Sequence, residues 1–294
     1  MPNPLVSIGI PVYNGERFLR QALDSLVDQT YSDFELIISD NASTDGTPEI
    51  CREYAGRDPR IRYIRQPINI GVARNWNALV HEARGVYFKW APASDYCAPQ
   101  MLERCIEAMI ADPGVVLCYG KTLLVDEDGE PKELYEYDTS VSEPLPSERF
   151  AHVCRRLWLN NIMCGVHRRD VLRRTRLHRI YPSSDKVLMA ELALYGRFKL
   201  IDEVLLFRRQ GPETSTIMGT PLELQRVFEP TAKAPMKFLV ARRRLHDFVS
   251  ISRAPIPTLE KLRAYGVALR MIIGSRRDLW REFLSMFGRG RSTA

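Results

Sequence analysis

The run LVSIGIPVYNGERFLRQALDSLVDQTYSDFELIISDNASTDG, residues 5–46, decides how the chain is read. Residues 5–10 are apolar and rich in β-branched side chains, the composition of a short buried strand, and Pro11 is expected to end it. Phe18, Leu19, Ala22, Leu23 and Leu26 recur at helical spacing, so residues 18–27 read as a helix. Residues 34–39 form a second apolar strand, and Asp40-Asn41-Ala42-Ser43-Thr44-Asp45-Gly46 is a dense turn cluster. Thr47 is placed to cap a second helix, with Pro48 at its first position. Strand, helix, strand, helix is the alternation of a largely parallel sheet covered by helices.

The alternation continues outward. Residues 61–65 and 86–90 read as a third and a fourth strand, 71–83 and 99–111 as helices, and 115–119 and 122–125 as two further strands. Residues 126–146 are polar with turn signals, the pattern of a surface excursion. Helices are expected near 147–157 and 186–194, a strand at 200–207 and a polar loop at 208–220. Beyond Pro221 the pattern is helical, broken at Ala254-Pro255-Ile256-Pro257.

Bulk properties narrow the class. With 294 residues, 45% hydrophobic and 27% charged, the chain can bury a sizeable core and has an ordinary globular composition. Its six cysteines form no C-x-x-C pair, which argues against a zinc site and for buried thiols in a reducing compartment. No secretory leader and no membrane-spanning run are visible, so a cytoplasmic protein is expected. The net charge of +6 is unevenly placed. From Pro235 to Ala294 there are 13 Lys and Arg against 4 Asp and Glu, a balance of +9 that leaves −3 for the rest.

In an open α/β sheet, ligands bind beyond the carboxyl ends of the strands. Three polar clusters sit there: Pro11-Val12-Tyr13-Asn14-Gly15-Glu16, the cluster from Asp40 to Asp45, and Ala93-Ser94-Asp95. If their strands are neighbours, the clusters converge on one crevice. Pro11-Val12-Tyr13-Asn14-Gly15, the Asp40–Gly46 cluster and Asn69-Ile70-Gly71, in that order and about thirty residues apart, resemble glycosyltransferase family 2. The resemblance covers roughly Pro4 to Ser215. It implies a GT-A fold, with a Rossmann-like, mostly parallel central sheet flanked by helices. The expected division is a transferase domain over 1–220, with a donor half at about 1–97 and an acceptor half at about 98–220, and a basic helical extension over 221–294.

The resemblance carries roles onto individual residues. Pro11, Tyr13 and Glu16 would line a base and ribose pocket, with Asn41 beside them. Asp40 would accept a hydrogen bond from the base, the competing reading being a turn residue. Asp45 is poised between turn and ligand contact. Asn69 and Gly71 would shape the loop before the third helix, where Arg74 would reach a phosphate or stand as a surface cation. Family members usually hold Mg²⁺ or Mn²⁺ with two carboxylates after the fourth strand. Here only Asp95 remains as a metal ligand and Ser94 or Ala93 stands where a carboxylate is expected, so metal binding should be weakened. The usual late histidine is also missing after Arg208-Arg209, which would instead hold the diphosphate directly.

Asp185, in Tyr181-Pro182-Ser183-Ser184-Asp185-Lys186, matches the family's general base; its competing reading is a helix-start residue. Met163-Cys164-Gly165 would lie under the acceptor sugar, and Trp158 would stack on a sugar or join the core. The implied activity is inverting transfer of a sugar from a nucleotide-diphosphate donor to a glycan, lipid-linked or small-molecule hydroxyl, in cell-surface polysaccharide or glycoconjugate synthesis. The alternatives are a catalytically silent sugar-nucleotide binder and a sugar-nucleotide nucleotidyltransferase. The basic tail, with Leu262, Leu269, Trp280 and Phe287 among its arginines, would either lie peripherally on the inner face of the plasma membrane or pack on the body. No nucleic-acid partner is expected.

Overall fold

The structure, a computed structural model, describes residues 4–211 and 219–284. Ser215, Phe287 and Ala294, named above, and part of the expected loop at 208–220 lie outside them. The chain forms strands β1 (Val6–Val12), β2 (Phe34–Asp40), β3 (Ile61–Arg65), β4 (Tyr87–Trp90), β5 (Tyr96–Cys97), β6 (Val115–Val125), β7 (Pro131–Leu134), β8 (Val166–Arg168) and β9 (Arg197–Arg209). Between and after them run helices α1 (Glu16–Val27), α2 (Thr47–Arg57), α3 (Val72–Glu82), α4 (Met101–Ala111), α5 (Pro146–Arg156), α6 (Arg169–Arg174) and α7 (Ser184–Tyr195). Four more close the chain: α8 (Pro221–Phe228), α9 (Leu239–Arg253), α10 (Thr258–Gly274) and α11 (Arg276–Leu284).

The sheet order is β3-β2-β1-β4-β8-β6-β9-β5, with β7 hydrogen-bonded to β6. The first four strands are parallel, as is the β6–β9 pair, while β8, β5 and β7 run antiparallel to their neighbours. Each crossover among β1 to β4 is a helix, as the alternation requires. Side chains alternate across β1: Val6, Ile8, Ile10 and Val12 enter the core shared with α1 and α2. Gly9 faces α3, and a Cβ there would lie 2.9 Å from the Leu79 Cβ. The opposite face carries a second core in which Phe88 and Trp90 meet Phe150, Leu188 and Leu192.

Several boundaries differ from expectation for local reasons. Pro11 lies inside β1. β4 pairs no further than Gly9, so Pro11 stands where β1 has only β2 beside it, and its missing N–H leaves no ladder position empty. The two expected strands at 115–119 and 122–125 are one strand, β6, with register shifts on both sides of Lys121. Gly120 stands beside that irregularity, where a Cβ would come within 2.5 Å of Leu205. Gly46, not Thr47, precedes α2, and Thr47 is its first helical residue. Arg208 and Arg209 are the last residues of β9 rather than the start of a loop. The excursion at 126–146 carries a short strand, β7.

The C-terminal helices join the body. Ile251 and Ala254 at the end of α9, with Ala264, Val267 and Ala268 of α10, lie in the same core as Phe150 of α5 and Leu188 of α7. Ser147 donates through its amide and its hydroxyl to Glu260, at 3.0 and 2.7 Å.

Candidate functional site

The loops after β1 and β2 are sewn together residue by residue. The Asn14 amide donates to the Ser43 hydroxyl at 2.9 Å, and the Asn14 side-chain oxygen accepts from the Thr44 amide at 2.8 Å. Asn14 itself has φ of 49°, a left-handed conformation that asparagine tolerates. The Gly15 amide donates to the Thr47 hydroxyl at 2.9 Å, which is what that side chain does instead of capping its own helix. Asp45 and Glu16 then cap two helices reciprocally. Asp45 accepts from the Glu16 amide at the start of α1 and from the Thr47 amide at the start of α2, at 3.0 and 3.1 Å. Glu16 accepts from the Gly46 amide at 2.8 Å. Burial alone would raise the Asp45 carboxyl, but the hydrogen bonds from Thr47 and Glu16 outweigh it and hold it below the ordinary range. Asp45 and Glu16 therefore build the loops, and Tyr13, 50% exposed, is the side chain these loops present outward. Pro11 is buried in its strand and offers no such surface.

Asp40 has no exposed surface. Its Oδ1 accepts from the Ser43 amide at 2.8 Å, and its Oδ2 from the Tyr63 hydroxyl and Arg65 at 2.8 and 3.0 Å. In this geometry Asp40 anchors its own loop rather than presenting a carboxylate to a base. Asn41 extends the stitching to the loop after β3. Its Nδ2 donates to Asn69 at 2.8 Å, its oxygen accepts from the Ile70 amide at 2.9 Å, and Asn69 in turn accepts from the Gly71 amide. Arg74, expected at a phosphate, instead makes a two-pronged contact with Glu229 just beyond α8, at 3.0 and 3.3 Å. Helix packing draws it away: Gly71 at the start of α3 meets the Phe228 carbonyl.

The loop after β4 reaches the same edge. The Ala91 amide donates to the Gly9 carbonyl at 2.9 Å, and a Cβ on Gly15 would lie 3.6 Å from that of Ala93. The three polar clusters thus meet beyond one end of one sheet. Asp95 is buried, and its Oδ1 accepts from the Ser94 hydroxyl and the Arg209 amide at 3.1 and 3.2 Å. Burial pushes its carboxyl above the ordinary range, against the pull of Arg208, the Arg209 amide, Ser94 and Lys89. Lys89 is itself buried, donating to the Cys164 and Trp90 carbonyls.

Arg208 and Arg209 differ completely. Arg209 is buried and donates to the Ser94 carbonyl at 3.0 Å, to the carbonyls of Asp126 and Glu127 and to Gln21, with its guanidinium 4.5 Å from the Phe18 ring centre. It is a strut, with four of its five N–H donors committed inside the body. Arg208, half-buried, donates to the Asn161 side-chain oxygen at 2.5 Å and uses no other donor among the described residues.

The donor set offers a divalent cation a single carboxylate. Asp95 is a single buried carboxylate with one oxygen already accepting twice, and its charged neighbours are Arg208 and Lys89. Among the described residues no group of three or more His, Cys, Asp or Glu could hold a metal. The expected metal ligand Asp95 is thus one buried carboxylate beside Ser94, with Arg208 and Lys89 as its charged neighbours, the weakened arrangement expected from the sequence.

Asp185 lies in the first turn of α7, after Ser183 in the left-handed region at φ of 64°. Its Oδ2 accepts from Asn160 at 2.8 Å. Asn160 and Asn161, both buried, therefore couple Asp185 to Arg208, whose charge acts on Asp95. The Asn160 side-chain oxygen and the Asn161 amide nitrogen are buried with no partner of their own. His178 faces the same region: burial drives its ring down to about 4 against the attraction of Asp185, and its Nε2 has no partner. Sequence reasoning passed over Asn160-Asn161, whose visible sign was an Asn-Asn pair between Trp158 and Met163-Cys164-Gly165. Trp158 is exposed, outside the core. Gly165, expected to admit a sugar, instead admits β6, since a Cβ there would lie 2.5 Å from the Cys118 carbonyl.

Residues 7–179 match the family described as Glycosyl transferase family 2. The chain is 30% identical over 214 residues to a chondroitin synthase of Pasteurella multocida, which covers 72% of this chain and 21% of that protein. It is 29% identical over 222 residues to a glycosyltransferase of Bacillus subtilis named EpsJ, 72% of this chain and 63% of that one. It therefore spans about a fifth of the first relative and under two thirds of the second. The fold is similar to that of S. aureus TarS 1-349 in complex with UDP, with a TM-score of 0.64 and 18% identity over 92% of this chain and 73% of that one. It is also similar to the mannosyltransferase PcManGT of Pyrobaculum calidifontis in complex with GDP-Man and Mn²⁺, with a TM-score of 0.53 and 17% identity over 95% and 84%. Both likenesses are to GT-A transferases, and with the family match over more than half its length, the chain belongs to glycosyltransferase family 2.

Proposed function

We propose that the protein transfers a sugar, with inversion, from a nucleotide-diphosphate donor to a hydroxyl acceptor, in the synthesis of a surface polysaccharide or glycoconjugate. The observation that carries this reading is the polar line Asp95–Arg208–Asn161–Asn160–Asp185, which joins one cation to two carboxylates at the carboxyl edge of the sheet. The complexes of TarS with UDP and UDP-GlcNAc support a nucleotide-sugar donor.

In this reading Asp185 accepts the proton of the attacking hydroxyl as its oxygen bonds to the anomeric carbon. The bond from that carbon to the phosphate oxygen breaks, and the nucleoside diphosphate leaves with the electron pair. Arg208 donates to the departing diphosphate, whose charge grows in the transition state. Asn160 holds Asp185 in position, while Tyr13 offers a face to the base or ribose.

Release of nucleoside diphosphate from UDP-, GDP- and dTDP-sugars, with Asp185→Asn beside the wild type, tests this. Asp185→Asn is expected to lower turnover about 10²–10⁴-fold while a donor still raises the melting temperature. Undiminished turnover in that variant overturns the assignment. A second reading, a silent sugar-nucleotide binder, is favoured by the serine at position 94; donor-induced stabilisation without turnover for any donor would establish it.

A further inference from the structure

Helix α10 has two unlike faces. Glu260, Ala264, Val267 and Ala268 are buried against the body. On the other side Leu259, Leu262, Leu269 and Ile273 are 58%, 62%, 52% and 61% exposed. With Gly266, whose Cβ position is open space, these residues fall at intervals of three and four and so share one stripe. At 17 residues the helix is about 25 Å long.

The charges beside the stripe have one sign. Arg263 and Arg270 follow it seven residues apart on α10, Arg277 stands in the first turn of α11 just beyond, and from Lys261 to Arg277 there is no acidic residue. Arg263 pairs with Glu260 at 2.7 Å, whereas Arg270 and Arg277 have no ion-pair partner among the described residues. A second copy of this helix would bring the same arginines to the seam with no carboxylate to meet them, a like-charge arrangement that opposes association. A surface of phosphates has the complementary charge. Among the described residues no helix is long and apolar enough to cross a membrane, so the geometry is one of lying on a surface.

We propose that the outer face of α10 docks on an anionic lipid surface, with Leu259, Leu262, Leu269 and Ile273 entering the headgroup–acyl boundary and Arg270, with Arg277 at the start of α11, on headgroup phosphates. This is independent of which sugar the protein transfers.

Flotation with phosphatidylcholine vesicles, with and without phosphatidylglycerol, tests it. The wild type is expected to float only with the anionic vesicles and to be released by salt. Leu262→Glu/Leu269→Glu and Arg270→Glu/Arg277→Glu are each expected to lower partitioning at least about tenfold, since each basic residue contributes about 1 kcal/mol and each buried CH₂ about 0.8 kcal/mol. All four positions are exposed, and an unchanged melting temperature confirms that the variants fold. Wild type that stays unbound, or variants that float as well as it does, overturns the proposal. So does a dimer in sedimentation equilibrium that Leu262→Glu/Leu269→Glu abolishes without any lipid binding by the wild type.

Discussion

Arg208 and Arg209 are adjacent in sequence and opposite in circumstance, because successive side chains of a strand point to opposite faces. Arg209 donates to Ser94, Asp126, Glu127 and Gln21 inside the body, whereas Arg208 reaches Asn161 at the candidate site. Arg209→Ala is expected to cost about 3 kcal/mol or more in urea denaturation, since it leaves several buried acceptors unpaired. Arg208→Ala is expected to change stability by less than about 1 kcal/mol and to lower turnover about 10²-fold or more. Equal destabilisation by the two variants would contradict this division. The sequence marked the pair as cationic and could go no further, because which arginine faces inward depends on the register of β9 against β6. Asp45 and Glu16 show the same limit: their types suited a ligand or a cap, and only the partner amides decide between them.

Among the elements, α3 and α8 show how a remote helix takes over a residue marked for the site. Gly71 has φ of 83°, and its hydrogen faces the Phe228 carbonyl, where a Cβ would lie at 2.2 Å. Arg74, one turn on, reaches Glu229 from the same contact. Gly71→Ala is expected to lose about 2 kcal/mol or more, from the left-handed backbone and the overlap together, with faster amide exchange at Phe228 and Glu229. Stability within a few tenths of a kcal/mol of wild type would show that α8 moves away without cost. The alternation of strands and helices in the first half was legible because buried parallel strands are continuous apolar runs. β6 appeared as two strands because Gly120 and Lys121 interrupt that run at its register shift.

For the molecule as a whole, the second core buries His167 and His178 as neutral rings, each pushed down to about 4 by burial from an ordinary 6.5. A base whose folded value is lowered binds more protons when unfolded, so its contribution is present above pH 6.5 and lost as pH falls from 6.5 towards 4. At pH 5 that loss is on the order of 2 kcal/mol for each ring. Asp247, raised to about 6 by burial, runs the other way: its contribution grows as pH falls through 6. The cleaner measurement is therefore a difference. His167→Gln keeps a donor for the Met163 carbonyl, which the ring contacts at 2.9 Å, and removes the titration. Its loss of stability between pH 7 and pH 5 is expected to be smaller than the wild type's by about 1–2 kcal/mol. Equal losses in the two proteins would mean that His167 is not buried neutral.

By itself the sequence determined the sheet type and the position of three polar clusters at strand ends, which follow from short-range periodicity and turn chemistry, while the candidacy of Asp185 came from the resemblance to glycosyltransferase family 2. The tertiary structure decided which of those residues hold the loops and which distant partners the others meet. It drew Arg74 to Glu229, enclosed Asp40 and Arg209, and brought Asn160 and Asn161 between Asp185 and Arg208. A side chain's role depends on which donors and acceptors reach it from distant segments, and no local pattern encodes those partners.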